Sequence, residues 1–229
     1  EKVVLSKNIE ILEQNAFSGC TNLNYVGLDN KLTTISGYAF SNCTSLESIE
    51  IPDGVENIAE DAFYGCTKLS SVKLPLGWKR VTYYSANNAN GDESPFVGCT
   101  ALKEITIPEG MTTVPSYAFG SMTSLETVVL PDSIKTVNSY SFYNCTGLKN
   151  VTFSKNLETI SNYAFNNCKS LTTLNFTESL KTIESSAFYN CSGLTSIEIP
   201  SSVTTIESSA FYNCSGLTSI EIPSSVTTI

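Results

Sequence analysis

The chain has 229 residues, a formal net charge of −9 and a sequence pI near 4.5. That balance argues against nucleic acid, whose affinity comes largely from Lys and Arg neutralising phosphates, and against anionic membrane surfaces. No apolar run approaches the ~20 residues that span a bilayer. With no histidine in the chain, Ser-His and Cys-His catalysis is impossible.

Taken in order, the chain is one unit written many times. Residues 1–22 supply Val3, Leu5, Ile9, Leu12, Phe17 and Cys20 in a unit that lacks its opening Leu. Regular units open at Leu23 and Leu46. The unit from Leu69 is longer, because Cys66 and Cys99 are 33 apart where most cysteine steps are 23. Units from Leu102, Leu125, Leu148, Leu171 and Leu194 are regular, and Met122 sits midway between Cys99 and Cys145. Leu217–Ile229 repeats the opening thirteen residues of the unit before it. Nine of the eleven Phe residues fall in one column, from Phe17 to Phe211, so the period is not a chance pattern.

Each unit converts into a coil. Apolar residues three and five after the Leu alternate with polar ones, as in Ile197 and Ile199, which predicts a strand with one buried face. A Pro such as Pro52, Pro131 or Pro200 then ends the ladder, because it cannot donate to it. An extended Val-x-x-Ile pair follows. The Ala-Phe-x-x-Cys segment is predicted as at most one helical or 3₁₀ turn. Asn42, Gly65, Gly98, Asn144, Asn167, Asn190 and Asn213, each just before a Cys, are types that tolerate the left-handed backbone closing such a turn.

A single coil cannot bury its own apolar residues, but stacked coils cover one another. The expected fold is a repeat solenoid over residues 1–229. It is a leucine-rich-repeat-like right-handed coil of 23-residue repeats, about ten coils with the first and last partial. A parallel β-sheet forms its concave face, at roughly 4.8 Å per coil. Glu1 falls inside one unit and Ile229 halfway through another, so the chain is expected to be an excised stretch of a longer array. Uncovered end coils offer strand edges, and weak end-to-end self-association is expected.

The pattern L-x-x-I-x-I-P-x-x-V-x-x-I-x-x-x-A-F-x-x-C-x-x resembles the BspA-type (Treponema-type) leucine-rich repeat. The resemblance covers the chain apart from the insert. It implies an extracellular or cell-surface location, mainly on host-associated bacteria, and adhesion to host matrix or plasma proteins such as fibronectin and fibrinogen. It carries over no binding residue.

The residues themselves nominate two surfaces. The insert loop at 82–95 adjoins Trp78, Lys79 and Arg80 and holds Tyr83 and Tyr84. Insertions in repeat proteins become loops, often on a binding face, and aromatic and Arg residues suit binding hot spots. The alternative is a tolerated surface loop, with Trp78 in a core column. The second surface is a column of Tyr117, Tyr140 and Tyr163 in consecutive coils, shared by Tyr38. It either binds a protein or glycan or simply stabilises neighbouring coils. The columns two and four after each Leu, such as Ser196 and Glu198, are small, polar and mildly acidic.

The cysteine ladder is expected to be buried small hydrophobes, not disulfides. A line of thiols without histidine does not offer zinc a tetrahedron. No cofactor, metal or catalytic residue is expected. A structural spacer in a larger surface protein is the alternative to an adhesion module.

Overall fold

The computed structural model describes residues 1–83 and 94–229. Among these, each full coil except the one opened by Leu69, whose second position is a single bridge at Arg80, carries two short parallel strands. The first begins two residues after the opening Leu and is three residues long, as in Ser48–Glu50, Thr127–Val129 and Ser196–Glu198. The second holds the Val-x-x-Ile pair and is two residues long, as in Thr136–Val137 and Thr205–Ile206.

Register follows the sequence period. Val128 pairs with Ile105 behind it and Val151 ahead, and Ile160 pairs with Val137 and Ile183. Every pair between named strands is 23 residues apart, so each column stacks on itself. A slip by one residue would turn the buried middle residue, Ile49 or Ile105, out to water. That cost holds the register. The solenoid has about eight turns, built from repeats of roughly 23 residues.

The Ala-Phe-x-x-Cys segment forms successive hydrogen-bonded turns, and no helix occurs among the described residues. This corrects the helical-turn expectation. Ala39, Ser41 and Cys43 N–H groups donate three residues back within their own turn. Between them, Phe40 and Asn42 donate across to Ala62 and Tyr64 of the next coil, at 2.7 and 2.6 Å. Left-handed residues at Tyr38 (φ 58°) and Asn42 (φ 57°) produce the alternation. A helix would spend these donors internally; the turns spend two of the five on the neighbouring coil. All seven residues expected to be left-handed before a Cys have positive φ.

The core is a set of columns. Seven residues of the Phe column, Phe40 to Phe188, are fully buried. Their rings stack in near-parallel pairs, 5.3 Å for Phe40–Phe63 and 5.1 Å for Phe142–Phe165. Burying one such side chain is worth about 1.5–3 kcal/mol. The Leu column behaves alike, with Leu46, Leu69, Leu125 and Leu194 at 0% exposure. All eight cysteines are unbridged, and seven are buried.

Each buried thiol also makes a bond. Cys43 Sγ donates to the Phe17 carbonyl of the preceding coil at 3.2 Å, and Cys145 Sγ to Phe119 at 3.0 Å. The column therefore wants a small apolar group that can still donate weakly, a description cysteine fits. Burial pushes the Cys145 and Cys99 thiols up to about 12, which keeps them protonated and unreactive.

Candidate binding surface

The insert is fixed at both ends by the coil before it. Glu60 N–H donates to Thr82 O at 2.9 Å, and the next residue, Asp61, donates to Ser94 O at 3.2 Å. Thr82 and Ser94 are thus both bonded to the coil before them. Tyr84, one of the residues expected to bind, lies outside the described residues.

The other insert candidates are placed differently from one another. Trp78 is buried, packs edge-on against Phe96 and Phe119 at 6.4 and 5.6 Å, and gives its indole N–H to Arg80 O. It is a core residue of the longer coil. Lys79 lies outside and pairs with Glu56 at 2.6 Å. Arg80 is exposed, while its backbone bridges to Asn57. Tyr83 is 46% exposed and meets the ring of Tyr117 edge-on at 5.3 Å.

The structure thereby joins the two sequence candidates into one surface. Tyr117, Tyr140 and Tyr163 stack at 4.8 Å with interplanar angles of 5° and 10°. Tyr83 leans on one end of the stack, and Tyr143 tilts against Tyr140 at 5.6 Å. Neither Tyr83's contact nor Tyr143 was visible as part of the column, because both come from other positions of the unit. A second stack, Tyr189 on Tyr212 at 4.9 Å, lies further along.

The backbone under the tyrosines is unusual. Tyr117, Tyr140 and Tyr163 have φ of 61°, 60° and 58°. A bulky residue there is an outlier, at roughly 1–2 kcal/mol each. Other coils put Asn15 and Asp61, types that tolerate this backbone, and the small Ser186 and Ser209 at the same left-handed position. Tyr38 shares the position, partly buried and beside Asp61. Burial and Asp61 both push its phenol up, to about 12.

The remaining faces are blander. Sheet-face residues such as Ser48, Glu50, Ser71 and Lys73 are exposed, and Ser48–Glu50 borders a cleft of about 220 Å³ against Tyr25–Leu28. Salt bridges link neighbouring coils across half-exposed side chains, with Glu126 reaching both Lys103 and Lys149. The lysines hold the Glu126 and Asp132 carboxyls below their usual range. Asn144, Asn167, Asn190 and Asn213 pass amide hydrogen bonds from coil to coil at 2.6–2.7 Å. Among the described residues, no group of three or more His, Cys, Asp or Glu could hold a metal, and no helix is long and apolar enough to cross a membrane.

The family description of the BspA type leucine-rich repeat region matches six copies, over residues 1–91, 90–195 and 112–229. The chain belongs to this family. Solved structures of leucine-rich repeat proteins share the fold. A leucine-rich repeat protein from Bacteroides ovatus superposes with a TM-score of 0.65 at 23% identity, covering 94% of this chain and 59% of its own. A leucine rich cell surface protein from Faecalibacterium prausnitzii gives 0.57 at 31% identity, covering 96% of this chain and 59% of its own. A leucine rich repeat protein from T. pallidum gives 0.57 at 26% identity, covering 84% and 77%. This BspA-type chain thus spans about three fifths of the first two proteins. No curated protein matches it.

Proposed function

We propose that this chain is a non-catalytic binding module of a bacterial surface protein, and that it engages a protein partner through the face carrying Tyr83, Tyr117, Tyr140 and Tyr163. The carrying observation is that three consecutive tyrosines occupy a left-handed position which neighbouring coils fill with Ser or Asp. The two stacked pairs contribute about 0.5–1.5 kcal/mol each, against a backbone cost of roughly 1–2 kcal/mol at each of the three residues, so stacking alone does not account for the choice. Strain of this kind gathers at functional sites. Kinship with a cell-surface protein of F. prausnitzii supports the location.

Ring geometry favours protein over glycan. Sugars stack on aromatic faces, and here the interior faces are covered by one another at 4.8 Å. What the stack leaves to a partner is a row of ring edges. A host matrix or plasma protein is the partner class the family resemblance implies. The spacer reading draws on the bland sheet face and predicts no such contact.

Immobilised fibronectin, fibrinogen and a glycan panel should be probed with the wild-type chain and with a Tyr117→Asn, Tyr140→Asn, Tyr163→Asn variant. Binding to a protein target that drops at least ~10-fold in the folded variant is expected. Unchanged binding moves the site elsewhere. Absence of any protein binding by the wild type favours the spacer, and binding to glycans alone overturns the protein assignment.

A further inference from the structure

We propose that the solenoid consists of two cooperative blocks, residues 1–99 and 102–229, hinged at the junction between the coils opened by Leu69 and Leu102. An ordinary junction is held by three backbone ladders and one thiol. Between the coils of Leu102 and Leu125, strand Glu104–Thr106 pairs with Thr127–Val129, and Thr113–Val114 pairs with Thr136–Val137. On the turn side, Phe119 N–H donates to Ser141 O and Cys145 Sγ to Phe119 O.

At the Leu69–Leu102 junction all four fail together. Strand Ser71–Lys73 pairs only backward with Ser48–Glu50, and Glu104–Thr106 only forward. Arg80 bridges back to Asn57, while Thr113 pairs forward to Thr136. The Glu56 carbonyl receives two N–H groups from the next coil, those of Lys79 and Arg80, and Thr112 receives those of Lys135 and Thr136. The Lys79 carbonyl between them receives no such pair. Among the described residues no coil-to-coil backbone hydrogen bond crosses this junction. The thiol is missing too, because Met122 stands where a cysteine would donate to Phe96 O.

What crosses is side-chain contact. Ser94 Oγ donates to Ala118 O at 3.0 Å, Trp78 and Tyr83 meet Phe119 and Tyr117, and Phe96 lies 6.2 Å from Phe119. Other neighbours in the Phe column sit at 5.1–5.6 Å. A cleft of about 260 Å³ opens at the junction between Leu76–Lys79 and Gly110–Thr113. Elsewhere the long strand ladder also lapses, between Tyr25–Gly27 and Ser48–Glu50 and between Asn150–Thr152 and Thr173–Asn175. There the second strand and the turn bonds continue, as Thr34–Asn57 and Phe165 to Ala187.

The cause lies in how the insert is anchored. Its ends stay bonded to the preceding coil through Glu60 and Asp61, so the irregularity falls on the junction that follows. In a repeat stack, stability is a sum of nearest-neighbour terms, and the weakest interface sets where cooperativity breaks.

Equilibrium guanidinium unfolding with hydrogen-exchange mass spectrometry on the full chain tests this. Two transitions are expected. The Lys103, Thr112 and Thr113 amides should exchange at least ~100-fold faster than Glu126, Lys135 and Thr136, the equivalents one coil on. A single transition, with Thr112 and Thr113 as protected as Thr136, would overturn the proposal. Removing residues 84–93 should merge the transitions. Two transitions persisting in that folded variant would also count against the hinge. The wild-type exchange profile decides by itself if the shortened chain does not fold.

Discussion

The Phe column and the Tyr column lie two residues apart in the same turn, and both stack ring on ring at about the coil spacing. Their environments separate them. Phe119, Phe142 and Phe165 are fully buried, and nearly every coil supplies the same residue. Tyr117, Tyr140 and Tyr163 are half-buried, left-handed, and replaced by Asn, Asp or Ser in other coils. Periodicity therefore does not distinguish a structural ladder from a functional one. What distinguishes them is whether burial and backbone demand the residue. The core demands Phe, whereas the backbone at the Tyr position disfavours the residue that is there.

The sharpest way to break that comparison is in the core. Phe142→Ala should cost about 3–5 kcal/mol, read by chemical denaturation, and should uncouple the coils on either side. Next comes pH. Cys99 and Cys145 ionise near 9 when unfolded but are pushed up to about 12 by burial, and Cys214 to about 11. The native state therefore keeps its protons where the unfolded state loses them. Stability should be full below about pH 9 and fall as pH rises toward 12. Melting temperatures at about pH 8 and about pH 10.5 check the sign. The smallest effect belongs to the exposed charges. Lys149→Ala removes one of Glu126's two partners and should change stability by less than ~1 kcal/mol.

Much of the fold was legible because one coil's requirements recur in the next. The Leu, Phe and Cys columns, the strand positions and the left-handed residues before Cys all follow from spacing and residue type. The helical turn was misjudged because a second left-handed position, four residues before the first, carries Tyr as often as Asn or Ser. Nothing in Tyr's own preference announces that conformation. Trp78 shows the same limit. Its column placed it in the core, while its residue type nominated it for binding, and the structure places it inside. The contact of Tyr83 with Tyr117 could not be read at all, since it joins the insert to a coil that follows it in the chain. The break after the insert left one sequence trace, Met122 in the cysteine column, whose meaning needed the thiol-to-carbonyl bonds.

The most direct measurement is the melting temperature of the Tyr117→Asn, Tyr140→Asn, Tyr163→Asn variant. Asn suits the left-handed backbone, so relief of strain should balance the lost stacking. For the transition of the block 102–229, which holds all three tyrosines, a melting temperature within about 4 °C of wild type is predicted, equivalent to about 1 kcal/mol. A fall of more than about 10 °C would mean that the tyrosines hold the coils together as the phenylalanines do. The distinction between the two columns would then be wrong.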